Sequence, residues 1–166
     1  STSGMGDAGN ITIPNAEQIN LNNSRIIAAT SGEGDTGEIN LTATEKIHLV
    51  SASEISSSVE EGGVGNSLEV NLSTPQLELN QSQINAFTDG IGNAGSINIS
   101  DGGSNNEQVQ LTNQSQISTA IADNGQGNKP SNITIKTDQL ESESSTITAS
   151  TSGRGDAGNI TIPNAE

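Results

Sequence analysis

The sequence predicts an all-β protein: a right-handed parallel β-helix with about 30 residues and three short strands per coil. Three observations predict it. A Gly-x-Gly-Asx motif returns six times along the 166 residues. Aliphatic residues fall in alternating pairs between those motifs. The chain holds one Phe and no Trp or Tyr, so a wide layered core has nothing large to fill it.

Composition narrows the functional classes. Twenty acidic residues against five basic ones give a net charge of −15. That excess repels phosphate, so nucleic acid is excluded as a partner. No apolar run approaches the roughly 18–20 residues of a membrane span, so membrane insertion is not expected. Without Cys there is no disulfide framework and no thiolate metal site. Acidic, aromatic-poor chains are often disordered. Here 19 Ile, 9 Leu and 5 Val keep a period of two, which disorder would not preserve.

The motif fixes the repeat. It reads Gly4-Met5-Gly6-Asp7, Gly32-Glu33-Gly34-Asp35, Gly63-Val64-Gly65-Asn66, Gly90-Ile91-Gly92-Asn93, Gly125-Gln126-Gly127-Asn128 and Gly153-Arg154-Gly155-Asp156. The spacings are 28, 31, 27, 35 and 28 residues. Within each unit the first strand is an apolar pair such as Ile39-Asn40-Leu41 or Ile97-Asn98-Ile99. The second is of the type Gln18-Ile19-Asn20-Leu21 or Gln76-Leu77-Glu78-Leu79. The third follows a Ser, as in Ser53-Glu54-Ile55 and Ser82-Gln83-Ile84. Three strands and three bends make one coil, each strand pairing with its counterpart in the next. Parallel crossovers are overwhelmingly right-handed, hence the expected hand. An α-solenoid is excluded, because no window shows i, i+3, i+4 apolar spacing and Gly interrupts every candidate. The fourth unit is longer because residues 100–106 extend a bend, and these are expected to stand off the rod.

Alternation assigns the faces. Ile11, Ile13, Ile39, Leu41, Val70, Leu72, Ile97, Ile99, Ile133, Ile135, Ile160 and Ile162 are expected to form two inward ladders. Thr12, Asn40, Asn71, Asn98, Thr134 and Thr161 should face solvent between them. Ile26, Ile55, Ile84, Ile117 and Ile147 make a further inward ladder, with Ala28, Ala86 and Ala149 two residues on.

A longer period lies above the unit. Residues 1–17 and 150–166 differ only at Met5 versus Arg154. Residues 1–166 therefore read as one β-helical segment: a 149-residue block of five coils, with residues 150–166 starting the next. The expected partner is the chain itself, as covalent tandem blocks or stacked end to end, with lateral bundling. Surface glycans are a further candidate partner.

The run Ser152-Gly153-Arg154-Gly155-Asp156-Ala157-Gly158-Asn159-Ile160-Thr161-Ile162, preceded by Ile147-Thr148-Ala149-Ser150, resembles the repeats of filamentous-haemagglutinin-type exoproteins, cyanobacterial members in particular. The resemblance covers the whole chain. It implies secretion through a partner pore, an extracellular, cell-surface location, a long right-handed shaft, and adhesion or fibre building. Two alternatives stand beside that function. One is a passive stalk presenting a separate adhesive or toxic domain. The other is a β-helix that binds or cleaves polysaccharide.

Candidate sites are few. Gly4, Gly6, Asp7, Gly32, Gly34, Asp35, Gly153, Gly155 and Asp156 are read as coil turns, Gly supplying positive φ and Asx side chains bonding their own backbone. Calcium is the one cofactor this oxygen-rich column admits, yet half its positions are Asn. Arg154-Gly155-Asp156 spells an integrin-type tripeptide, but the position between the glycines simply varies. The Thr positions do not form an ice-matching array, because Asn interrupts them. Catalysis is not expected: the acids are dispersed, Glu60-Glu61 lies in a bend, and His48 has no Ser or Cys constellation. Alternation in the third strand turns Ile27, Ala29, Phe87 and Ala120 outward, as a candidate lateral contact between shafts.

Overall fold

The computed structural model describes residues 1–100 and 107–163. The expected stand-off loop falls on residues 101–106 and lies outside them, apart from Ser100. The described residues form a β-solenoid of about five turns, all-β and without helix.

The first coil contributes β1 (Ile11–Asn22) and β2 (Arg25–Thr30); the second contributes β3 (Ile39–Val50) and β4 (Glu54–Val59). The third has β5 (Val70–Ser73), β6 (Gln76–Asn80) and β7 (Gln83–Thr88). The fourth has β8 (Ile97–Ser100), β9 (Gln108–Thr112) and β10 (Gln116–Ile121). The fifth has β11 (Ile133–Ile135), β12 (Gln139–Ser142) and β13 (Thr146–Thr151), and β14 (Ile160–Thr161) opens the next. Every pairing of these strands is parallel.

The first two strand pieces are separate only in the later coils. In β1 and β3 they run together through the bend, twelve residues each. The first half of β3 therefore pairs with β5 and its second half with β6. This joins two stacks into one nine-stranded sheet, while the third pieces form a five-stranded sheet of their own. Pro75 sits between β5 and β6 and has no N–H to continue a ladder. β1 also contains Pro14, but it is the outermost strand of its stack. Its register shifts between Ile13 and Ala16, as expected of proline at an edge or bulge.

Inward ladders fill the lumen. Ile39, Val70, Ile97 and Ile133 stack in register, and all are fully buried. Leu41, Leu72, Ile99 and Ile135 stack beside them. Ile55, Ile84 and Ile117 do the same in the five-stranded sheet. Burial of each contributes roughly 1.5–3 kcal/mol. The outermost rungs are covered from one side only: Ile11, Ile13, Ile26 and Ile147 are half-buried, while Ile160 and Ile162 are 43% and 42% exposed.

The lumen is not wholly aliphatic. Ser57 occupies the inward position that Ala28 and Ala86 hold in neighbouring coils. Its hydroxyl lies 2.7 Å from Thr36 Oγ1, and Ser67 Oγ donates to its carbonyl at 2.9 Å. Thr119 takes the same column one coil beyond Ala86 and donates to the Ser131 carbonyl at 2.8 Å. Each buried hydroxyl thus finds a partner, which removes the penalty of burying it.

Candidate functional site

Surface features of this rod are columns, because one position recurs at each coil about 4.8 Å further along the axis. The corner that carries the Gly-x-Gly motif is the most regular. Met5, Glu33, Val64, Ile91, Gln126 and Arg154 pair in turn as parallel bridges. Each of the last five donates its N–H to a glycine carbonyl of the preceding coil, at 2.9–3.0 Å. Glu33, Val64, Ile91, Gln126 and Arg154 each accept from a glycine N–H of that coil, at 2.7–2.8 Å. The position that simply varies in the sequence is therefore a one-residue ladder from Met5 to Arg154. All six side chains are exposed, Met5 by 87%, Ile91 by 52% and Val64 by 43%.

The flanking glycines are required by this stacking. Gly34 has φ +139, and a Cβ there would strike the Gly6 carbonyl. Gly32 has no such φ, but its Cβ would meet the Gly4 carbonyl. Only the residue between them projects freely, so it forms a ridge bordered by bare backbone. A shallow groove of about 390 Å³ runs along it, lined by Ile91, Gln126 and Arg154 of the ridge and by Asn66, Asn93 and Asn128 beyond.

The Asx column differs from the expected self-capping turn. Its side chains bond the neighbouring coil. Asp7 Oδ1 accepts from the Asp35 N–H at 2.8 Å, and Asp35 Oδ1 from the Asn66 N–H at 2.6 Å. Asn66 Oδ1 accepts from the Asn93 N–H at 3.1 Å, and Asn93 Oδ1 from the Asn128 N–H at 2.7 Å. Coil spacing places the next N–H within reach of a short side chain, which is why Asp and Asn interchange here. The Asn66 amide adds a second bond to Asp35 Oδ1 and the Asn93 amide a second bond to Asn66 Oδ1, while at Asn93 Oδ1 the second donor is the Lys129 N–H. Among the described residues no three His, Asp or Glu side chains gather as a metal cluster.

The Ser before each third strand forms another ladder. The Ser24 N–H donates to Ser53 Oγ, Ser53 to Ser82, Ser82 to Ser115 and Ser115 to Ser145, at 3.1–3.3 Å. Each hydroxyl in turn donates to a carbonyl two or three residues earlier. The residue before each Ser turns left-handed without being Gly: Asn23, Ala52, Gln81, Gln114 and Ser144 have φ between +48 and +66. On the first-strand face, the Asn71 amide donates to Asn40 Oδ1 at 2.9 Å and Asn98 to Asn71 at 2.8 Å.

The four residues proposed for lateral contact do not share one column. Ala29, Phe87 and Ala120 do, but Ser58 separates Ala29 from Phe87, and Ser150 follows Ala120. Ile27 stands two residues away, in register with Ser56 and Asn85. Ala29 is buried and the other three are half-buried, so this face offers no continuous exposed apolar stripe. His48 lies 3.6 Å from Glu78, which also sits 3.8 Å from Lys46, a surface charge cluster without a nucleophile. Sequence reasoning missed the ridge. Its signal was present, since the flanking glycines leave one side chain per corner, but varied identity hid it.

Comparison with protein-family models, with curated proteins and with solved structures returns no match.

Proposed function

We propose that this chain is a structural, non-enzymatic shaft segment of an extracellular bacterial filament or surface adhesin, wound as a right-handed coil with three faces. One observation carries the reading. Residues 152–163 sit on the fifth coil, with Arg154 on Gln126 and Ile160 on Ile133. Residues 1–17 carry the second coil, with Met5 under Glu33 and Ile11 under Ile39. Five coils thus return the chain to its opening sequence, so a further block can continue the same ladders in register. The resemblance to haemagglutinin-type repeats rests on the same motif and supports the same role.

The physical work of such a shaft is mechanical. Backbone ladders along the axis resist bending and stretching, and acidic side chains keep neighbouring rods soluble. Electron microscopy of the native polypeptide is expected to show thin unbranched fibres with an axial repeat near 24 Å, about five strand spacings. Denaturing electrophoresis separates covalent arrays, which stay large, from stacked subunits, which fall to a small mass. A monomer that forms no fibre at any concentration, or release of product from pectin or alginate, would overturn the reading.

A further inference from the structure

We propose that the Gly-x-Gly ridge is a lateral docking surface whose occupant is the same ridge on a second, antiparallel copy of this chain. The proposal adds to the shaft reading but does not depend on fibre growth.

Three observations carry it. First, among the described residues the exposed large hydrophobics are Met5, Val64, Ile91, Ile160 and Ile162; Met5, Ile160 and Ile162 lie on outermost rungs, so Val64 and Ile91 are the two exposed within the stack, and both are on this ridge. Val64 and Ile91 are adjacent rungs at the middle of the ridge. Second, glycines border the ridge, so a partner's side chains can approach to backbone distance. A shallow groove of about 390 Å³ lies beside Ile91, Gln126 and Arg154. Third, the charges are self-complementary in one orientation. In rung order the ridge reads Met5, Glu33, Val64, Ile91, Gln126, Arg154. Glu33 stands two rungs before Ile91 and Arg154 two rungs after it.

A two-fold axis at Ile91 therefore packs Ile91 on its own copy and Val64 on Gln126. It also sets Glu33 opposite Arg154 at both ends. This is the self-complementary patch that a closed two-fold dimer needs. A parallel pair would set Arg154 on Arg154 and Glu33 on Glu33, and like charges at a contact oppose association. One acid and one base in six positions leave the ridge column itself neutral, and beside its middle rungs the neighbouring column carries the uncharged Asn66, Asn93 and Asn128, on a chain whose net charge is −15. So short a ridge buries less than the roughly 1,200 Å² of a stable complex, so the single-segment contact is weak. Tandem shafts multiply it by multivalency.

Sedimentation of the full chain at low salt, up to about 1 mM, tests this. A monomer–dimer equilibrium that weakens with salt is expected. Ile91→Lys and Arg154→Glu should each weaken it at least about tenfold, and Glu33→Arg with Arg154→Glu should restore it. All these side chains point outward, so circular dichroism and melting should match the parent, confirming that each variant folds. A chain that stays monomeric, a dimer that Ile91→Lys leaves unchanged, or a double swap that fails to restore pairing would overturn the proposal. Growing polymers insensitive to ridge variants would mean end-to-end contact instead. Fibres without ridge pairing would sink this inference and leave the shaft reading standing.

Discussion

Asn66 donates to Asp35 and accepts two bonds from Asn93, so one side chain ties three coils together. Asn66→Asp keeps the acceptor, loses the amide donor and sets a carboxylate against that of Asp35. A loss of about 1–2 kcal/mol is expected at low salt, part of it recovered at about 1 M salt, because like charges at a half-buried pair are partly screened. Urea denaturation at the two salt levels checks it, and equal stability of both proteins at low salt would contradict the ladder. The bends make a second residue-scale prediction. Ala52 holds φ +61 without the side-chain oxygen that makes this region tolerable for Asn. Ala52→Gly relieves that conformation at the expense of a freer unfolded chain. The net gain expected is about 0.5–1 kcal/mol, read as a higher urea midpoint with unchanged slope.

At the scale of the strand, position along the rod decides what a side chain contributes. Ile135 and Ile162 both follow the same Ile-Thr-Ile pattern. Ile135 is fully buried, whereas Ile162 is 42% exposed at the outermost rung. Truncating Ile135 or Ile99 to Ala is expected to cost about 2–5 kcal/mol, since coils stacked on both sides cannot collapse into the cavity. Ile162→Ala should cost under about 1 kcal/mol. Thermal melts of the three variants distinguish these outcomes, and equal losses at Ile135 and Ile162 would contradict the stacking. Alternation made the inward faces legible from sequence. It did not show that β1 and β3 run straight through a bend. That depends on whether the coil above offers N–H and carbonyl groups in line there.

For the molecule as a whole, stability is close to a sum of coil terms and nearest-neighbour terms. The stacked coils repeat one unit along an axis, so no coil among the described residues is a unique centre. The rod's chemistry is spread along columns, and it presents lines of repeated groups rather than a point site. Two of those lines, the Asx column and the ridge, run side by side at one corner. The first is engaged between coils and the second is free to meet another molecule.

The sequence by itself determined the period and the inward ladders, because each of these is a local pattern that recurs from unit to unit. It also marked the glycine corners as tight. Tertiary structure alone decided what those corners do. Whether Asp35 bonds its own turn or the coil above depends on a distance between residues about 30 apart in the chain, set only when the coils stack. Whether Ala29 or Ile91 meets solvent depends on the neighbours one rung above and below. Periodicity assigns a direction to a side chain, but only the stacked coils determine what covers it.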